Sequence, residues 1–167
     1  MAAADGPPIV GTHRGASLPP RPGTYALILH LDRGRALTVG RLGRFRLPTG
    51  IYVYVGSARG PGGLAARVGR HLRRSGTGAG PAAPPHWHID YLGPVARPVA
   101  VWLAEGDRRR ECAWAARLAQ MDGASLPVPG FGASDCRCPA HLVHFATRPS
   151  LAPLRQPPPR LEWSDRL

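Results

Sequence analysis

Apolar positions along the chain fall into short runs punctuated by glycine and proline. Residues 25–31, Tyr-Ala-Leu-Ile-Leu-His-Leu, form a compact run whose length and flanks fit a strand. Asp32-Arg33-Gly34 supplies a turn, and residues 36–39 are expected to return as a second short strand ended by Gly40 and Gly43. Residues 50–56, Gly-Ile-Tyr-Val-Tyr-Val-Gly, are dense in β-branched and aromatic side chains and carry the strongest strand signal. Gly60-Pro61-Gly62-Gly63 breaks that strand, and the period then changes. Over 64–74 a helix is predicted, with Leu64, Val68 and Leu72 as its buried stripe and Arg67, His71 and Arg74 on a different face. A loop of Gly, Ala, Thr and Pro runs over 75–85, and residues 86–92, His-Trp-His-Ile-Asp-Tyr-Leu, are compact and aromatic. A further strand is expected at 99–103, then a helix over 108–121 with Asp107 as its N-cap. The pattern predicts an α/β (α+β) fold, a small mixed or antiparallel sheet flanked by helices.

Proline marks the bounds of that domain. Residues 1–22 and 148–167 are rich in Pro without periodicity and read as a flexible leader and a tail around a domain at 23–147. The tail ends in a short amphipathic stretch at 161–167. Charge changes the picture more. The chain has a formal net charge of +12, and every basic residue other than histidine is Arg. A GC-rich coding sequence also favours Arg, so position matters: the 23–147 segment alone holds 16 Arg against 7 acidic residues. That excess points to a polyanionic partner, nucleic acid above all. Three cysteines argue against a disulfide framework. Neither a secretory signal nor an apolar run of membrane-spanning length is visible, so a cytoplasmic protein without a membrane partner is expected.

Cleavage of a phosphodiester needs a group that deprotonates or orients water, a cation for the charge gathering on the phosphorane, and usually a hard metal held by carboxylate. The domain can supply each part: the strand phenols Tyr25 and Tyr54, the helix guanidinium Arg67 with His71 one turn on, and the carboxylate of Glu111. Each also has a plain structural reading. Strand tyrosines ordinarily pack, a helix Arg is usually solvated, and a Glu in a first turn often only complements the helix dipole. Glu111 shares a face with Ala115 and Leu118, however, and a carboxylate beside an apolar stripe needs a partner. Arg59, Arg70, Arg73, Arg74, His86 and His88 are candidate nucleic-acid contacts. His86 to Asp90 either lines a cleft, with Asp90 as a second metal-facing carboxylate, or is a packed Trp87 flanked by surface histidines. Cys136-Arg-Cys138 with His141, joined by Cys112, His86 or His88, could make a zinc site, although Cys-x-Cys-x-x-His is an unusual spacing and reduced thiols are the default.

Gly23-Thr24-Tyr25 resembles the first motif of the GIY-YIG nuclease superfamily, and Tyr54-Val55-Gly56 its second. Gly50-Ile51-Tyr52 spells GIY literally but shares a strand with Tyr54, whereas the two motifs sit on separate strands. Residues 52–58, 86–92, Glu111-Cys112 and 131–142 together resemble the Uri-type branch, a domain-of-unknown-function family, over about three quarters of the chain. The spacing from Tyr25 to Tyr54 is longer than in compact members, which an added strand around 36–46 would explain. The resemblance implies a metal-dependent endonuclease acting on nucleic acid, and DNA is expected as the partner ahead of RNA. It implies Glu111 holding one Mg²⁺ or Mn²⁺, Tyr25 as general base or water-orienting phenol, and Arg67 on the phosphorane. Tyr54 would bind the nucleophile or scissile phosphate, and His71 would assist. Two other readings stand beside it: a nucleic-acid-binding module of the same fold without turnover, and a structural zinc-binding interaction domain.

Overall fold

A computed structural model describes residues 9–12, 17–76 and 84–155. Among the described residues seven strands form: β1 (Ile9–Thr12), β2 (Gly23–Leu31), β3 (Arg35–Val39), β4 (Gly43–Leu47), β5 (Gly50–Ala58), β6 (Arg97–Glu105) and β7 (Leu142–Phe145). The α-helices among these residues are α1 (Gly63–Arg74), α2 (Ile89–Leu92) and α3 (Glu111–Ala119). The main sheet has the order β1-β6-β2-β5-β7 with every neighbour antiparallel, and β3 and β4 pair as a separate hairpin. The expected α+β class therefore holds, with a purely antiparallel sheet.

The two apolar runs become the central strands. Both lack polar alternation because both of their faces are covered. On one face Leu27, Leu29, Leu31 and Tyr52 pack with Leu64 and Val68 of α1 and Ile89 and Leu92 of α2. On the other, Ala26, Ile28, Val53 and Val55 pack with Trp114 and Leu118 of α3 and with Leu151 and Leu154. Each of the fully buried Leu, Ile and Val side chains contributes roughly 1.5–3 kcal/mol relative to exposure. Residues read as leader and tail also take part. Ile9–Thr12 pairs with β6, and the carbonyls of Pro19 and Arg21 accept from the N–H groups of Ala65 and Leu64, satisfying donors that the start of α1 leaves open. The 161–167 stretch and residues 77–83 of the loop lie outside the described residues.

Several expectations need correction. The buried stripe of α1 is Leu64, Val68 and His71, while Leu72 is only half-buried. The helix expected over 108–121 starts at Glu111, so Asp107 does not cap it. Arg110 occupies the cap position, and its N–H reaches the Thr24 hydroxyl at 3.4 Å. The insertion between the tyrosines is a two-stranded hairpin rather than one strand. β7 and β1 carry no sequence signal strong enough to predict them.

No helix among the described residues is long and apolar enough to cross a membrane.

Candidate active site

The pairing of β2 with β5 sets Tyr25 opposite Gly56 and Leu27 opposite Tyr54. Tyr25 and Tyr54 thus share one face, with ring centroids 6.1 Å apart. Gly56 is required by volume. A Cβ there would lie 2.5 Å from the Tyr25 hydroxyl oxygen, so only glycine leaves room for the phenol. The literal GIY stretch has a different fate. Tyr52 is fully buried, and its hydroxyl donates to the Pro48 carbonyl at 2.6 Å, away from the cleft.

Tyr25, Tyr54, Arg67 and Glu111 line one cleft of about 420 Å³, together with His86, Trp87, His88, Asp135 and His141. Helix α1 brings Arg67 to the cleft wall and sets His71 behind it, buried against Tyr25. Its inward residue His71 places Nε2 2.8 Å from the Tyr25 hydroxyl. Arg67 lies over the Trp87 ring at 4.2 Å, which holds the flat guanidinium by cation–π attraction at the cleft wall. Burial pushes the Tyr25 phenol well above its ordinary value, and the Tyr54 phenol adds to the rise; the Arg67 guanidinium opposes it less strongly. Tyr54 is pushed up to about 12, again by burial first, with Arg67 opposing. Burial lowers His71 to about 4, so its imidazole is neutral at neutral pH. Its Nδ1 is buried without a hydrogen-bond partner.

Glu111 opens α3 and lines the same cleft. One of its carboxylate oxygens, Oε2, is buried and has no hydrogen-bond partner. An unmatched buried oxygen of this kind is costly, and a hard divalent cation is the partner it suits. Asp135 supplies a second carboxylate at the mouth. Sequence reasoning misses it. The only signal is its place in Gly132-Ala-Ser-Asp135, just ahead of the cysteine cluster.

Asp90 does not face a metal. It is buried at 2 % exposure and held by two parallel hydrogen bonds from Arg70, at 3.0 and 2.9 Å, and by Arg74 at 3.2 Å. The backbone N–H groups of His86 and Trp87 donate to it as well. Burial alone would raise its pKa, but the bonds from Arg70, Trp87 and His86 outweigh burial and hold the carboxyl at about 2. Arg70 and Arg74 thereby have a buried partner within the protein itself. Arg59 is likewise engaged, donating to the Asp107 carbonyl at 2.7 Å, whereas Arg73 is exposed. His86 is exposed and stacks edge-on against Trp87. His88 forms part of the cleft wall, where its Nδ1 accepts from the Gly132 N–H at 2.8 Å.

Beside the cleft, Cys112, Cys136, Cys138 and His141 bring their ligand atoms within 4.8 Å of one another, close enough to hold a metal ion. His86 and His88 are not part of this group.

No curated protein and no solved structure matches the chain. A family model matches residues 24–156, from the strand that carries Tyr25 to past the buried Leu154. The chain belongs to the family described as Domain of unknown function DUF123.

Proposed function

We propose that this protein is a metal-dependent endonuclease with a GIY-YIG-type site, cutting the phosphodiester backbone of nucleic acid, DNA in preference to RNA. The observation that carries this reading is the convergence of Tyr25, Tyr54, Arg67 and Glu111 on one cleft from four separate elements. Arg67 would meet the scissile phosphate with its planar fork, held in place by Trp87, and offset the charge that builds on the phosphorane. Tyr54 would donate to a phosphate oxygen. Glu111, with Asp135 at the mouth, would hold Mg²⁺ or Mn²⁺. Such an ion, when bound, polarises the phosphoryl group and steadies the leaving oxygen.

Tyr25 is protonated at neutral pH, so a standing phenolate is not the base. Its hydroxyl and the neutral His71 form a pair at 2.8 Å. As the attacking water gives its proton to the Tyr25 oxygen, the phenolic proton would pass to His71 Nε2. A bound phosphate adds negative charge to the cleft and raises the proton affinity of that imidazole.

The test is incubation with plasmid DNA, and separately with RNA, in Mg²⁺ or Mn²⁺. Cleavage is expected in the wild type and lost in Glu111→Ala, with binding retained in a gel-shift assay. Binding without cleavage under either metal would overturn the enzymatic reading and leave a binding module.

A further inference from the structure

We infer that Cys112, Cys136, Cys138 and His141 form a closed structural Zn²⁺ site, separate from the carboxylate metal proposed at Glu111. The sequence offers three ligands close together and no clear fourth. The fold provides it: α3 carries Cys112 across to the 136–141 loop, 24 residues further along the chain. A tetrahedral zinc with Zn–S of about 2.3 Å and Zn–N of about 2.0–2.1 Å spaces its sulfur and nitrogen ligands roughly 3.6 Å apart. Here His141 Nε2 lies 3.5 Å from Cys136 Sγ and 3.8 Å from Cys112 Sγ. Three soft thiolates and an imidazole select zinc over the hard cations that a lone carboxylate suits. Four protein ligands fill the tetrahedron and leave no open position, so the ion would fasten the chain rather than activate water.

What it fastens is specific. The backbone N–H of His141 donates to the Phe131 carbonyl at 2.7 Å, and its carbonyl accepts from the Val55 N–H, next to Tyr54, at 2.9 Å. Cys112 follows Glu111 directly at the start of α3. The ion therefore ties the first turn of α3 to β5, both of which line the cleft. This setting of Glu111 against Tyr54 bears on the nuclease reading. The zinc site itself does not depend on that reading.

The experiment is metal analysis of the full chain, purified under reducing conditions without chelator. About one zinc per chain is expected, falling below a tenth in Cys136→Ser and in Cys138→Ser. Because those variants could fail to fold, the wild type is also refolded with Co²⁺, where the visible d–d bands of a tetrahedral thiolate site are expected. Glu111→Ala should keep its full zinc while losing cleavage, which separates the two metals. A folded wild type with neither zinc nor the cobalt bands would overturn the site, and so would loss of zinc from Glu111→Ala. Whether DNA is cut is read separately, from the wild type in the plasmid assay.

Discussion

Two regions of the molecule are rich in arginine and use it in opposite ways. On α1, Arg70 and Arg74 turn inward to a single buried carboxylate, and Arg67 is laid against Trp87 beside two phenols. On the hairpin of β3 and β4 and its flanks, Arg33, Arg35, Arg41, Arg44 and Arg46 are exposed and form no ion pair among the described residues. The hairpin keeps its apolar side, Leu37, Leu42 and Phe45, against the core and turns its charge outward. Net charge alone does not separate these cases. Burial and available partners do: a guanidinium near a buried carboxylate becomes part of the framework, and one on a hairpin's solvent side stays available to a polyanion.

The contrast can be broken at its strongest point first. Asp90→Ala leaves the Arg70 and Arg74 charges without their buried partner, and a loss of about 3–5 kcal/mol in unfolding free energy is expected by denaturant titration. Acid should give a graded version of the same effect. The depressed pKa means that the Asp90 contribution is complete above its unfolded value near 4. It is lost as pH falls through about 2, an amount on the order of 2 kcal/mol. If Asp90→Ala is as stable as the wild type at pH 7, the α1 arginines are not framework.

Next comes Arg67. Arg67→Ala should lower the cleavage rate about 10²–10³-fold while the unfolding midpoint moves little, since its partner is a half-exposed indole and not a buried charge. Arg67→Lys should recover only part of the rate, because a point charge lacks the planar fork. Equal rates for all three proteins would remove Arg67 from the chemistry. The smallest effect belongs to the hairpin. Replacing Arg35, Arg44 and Arg46 together by Gln should leave stability within about 0.5 kcal/mol. It should flatten the dependence of log binding constant on log salt by up to about 0.9 for each phosphate no longer neutralised. An unchanged salt slope would show that the outward arginines meet no backbone.

How far these roles are legible in the sequence depends on the distance over which each is decided. The central strands are legible because a run without polar alternation has one explanation at that length, burial on both faces. The convergence of Tyr25, Tyr54, Arg67 and Glu111 is legible through a motif resemblance and not through local physics. His71 defeats the helical pattern. At one turn from Arg67 it belongs to a basic face by helical geometry, yet the apolar stripe of α1 is wide enough to draw it in against Tyr25. Asp90 reads as a possible metal ligand because its partners lie 16 and 20 residues away on another element. Cys112 can be named only as one of several fourth ligands, since its nearness to Cys136 exists only once α3 has docked. Asp107 fails as a cap because Arg108–Arg110 do not join the helix that follows.

The notch at Gly56 has a consequence for how the two motifs should be read. Its missing side chain is the space in which the Tyr25 hydroxyl sits, on the neighbouring strand. A methyl group at 56 would evict the phenol from its place beside His71, although Gly56 itself carries no functional group. Two short words of sequence, far apart along the chain, are one object in space, and neither can be edited independently of the other.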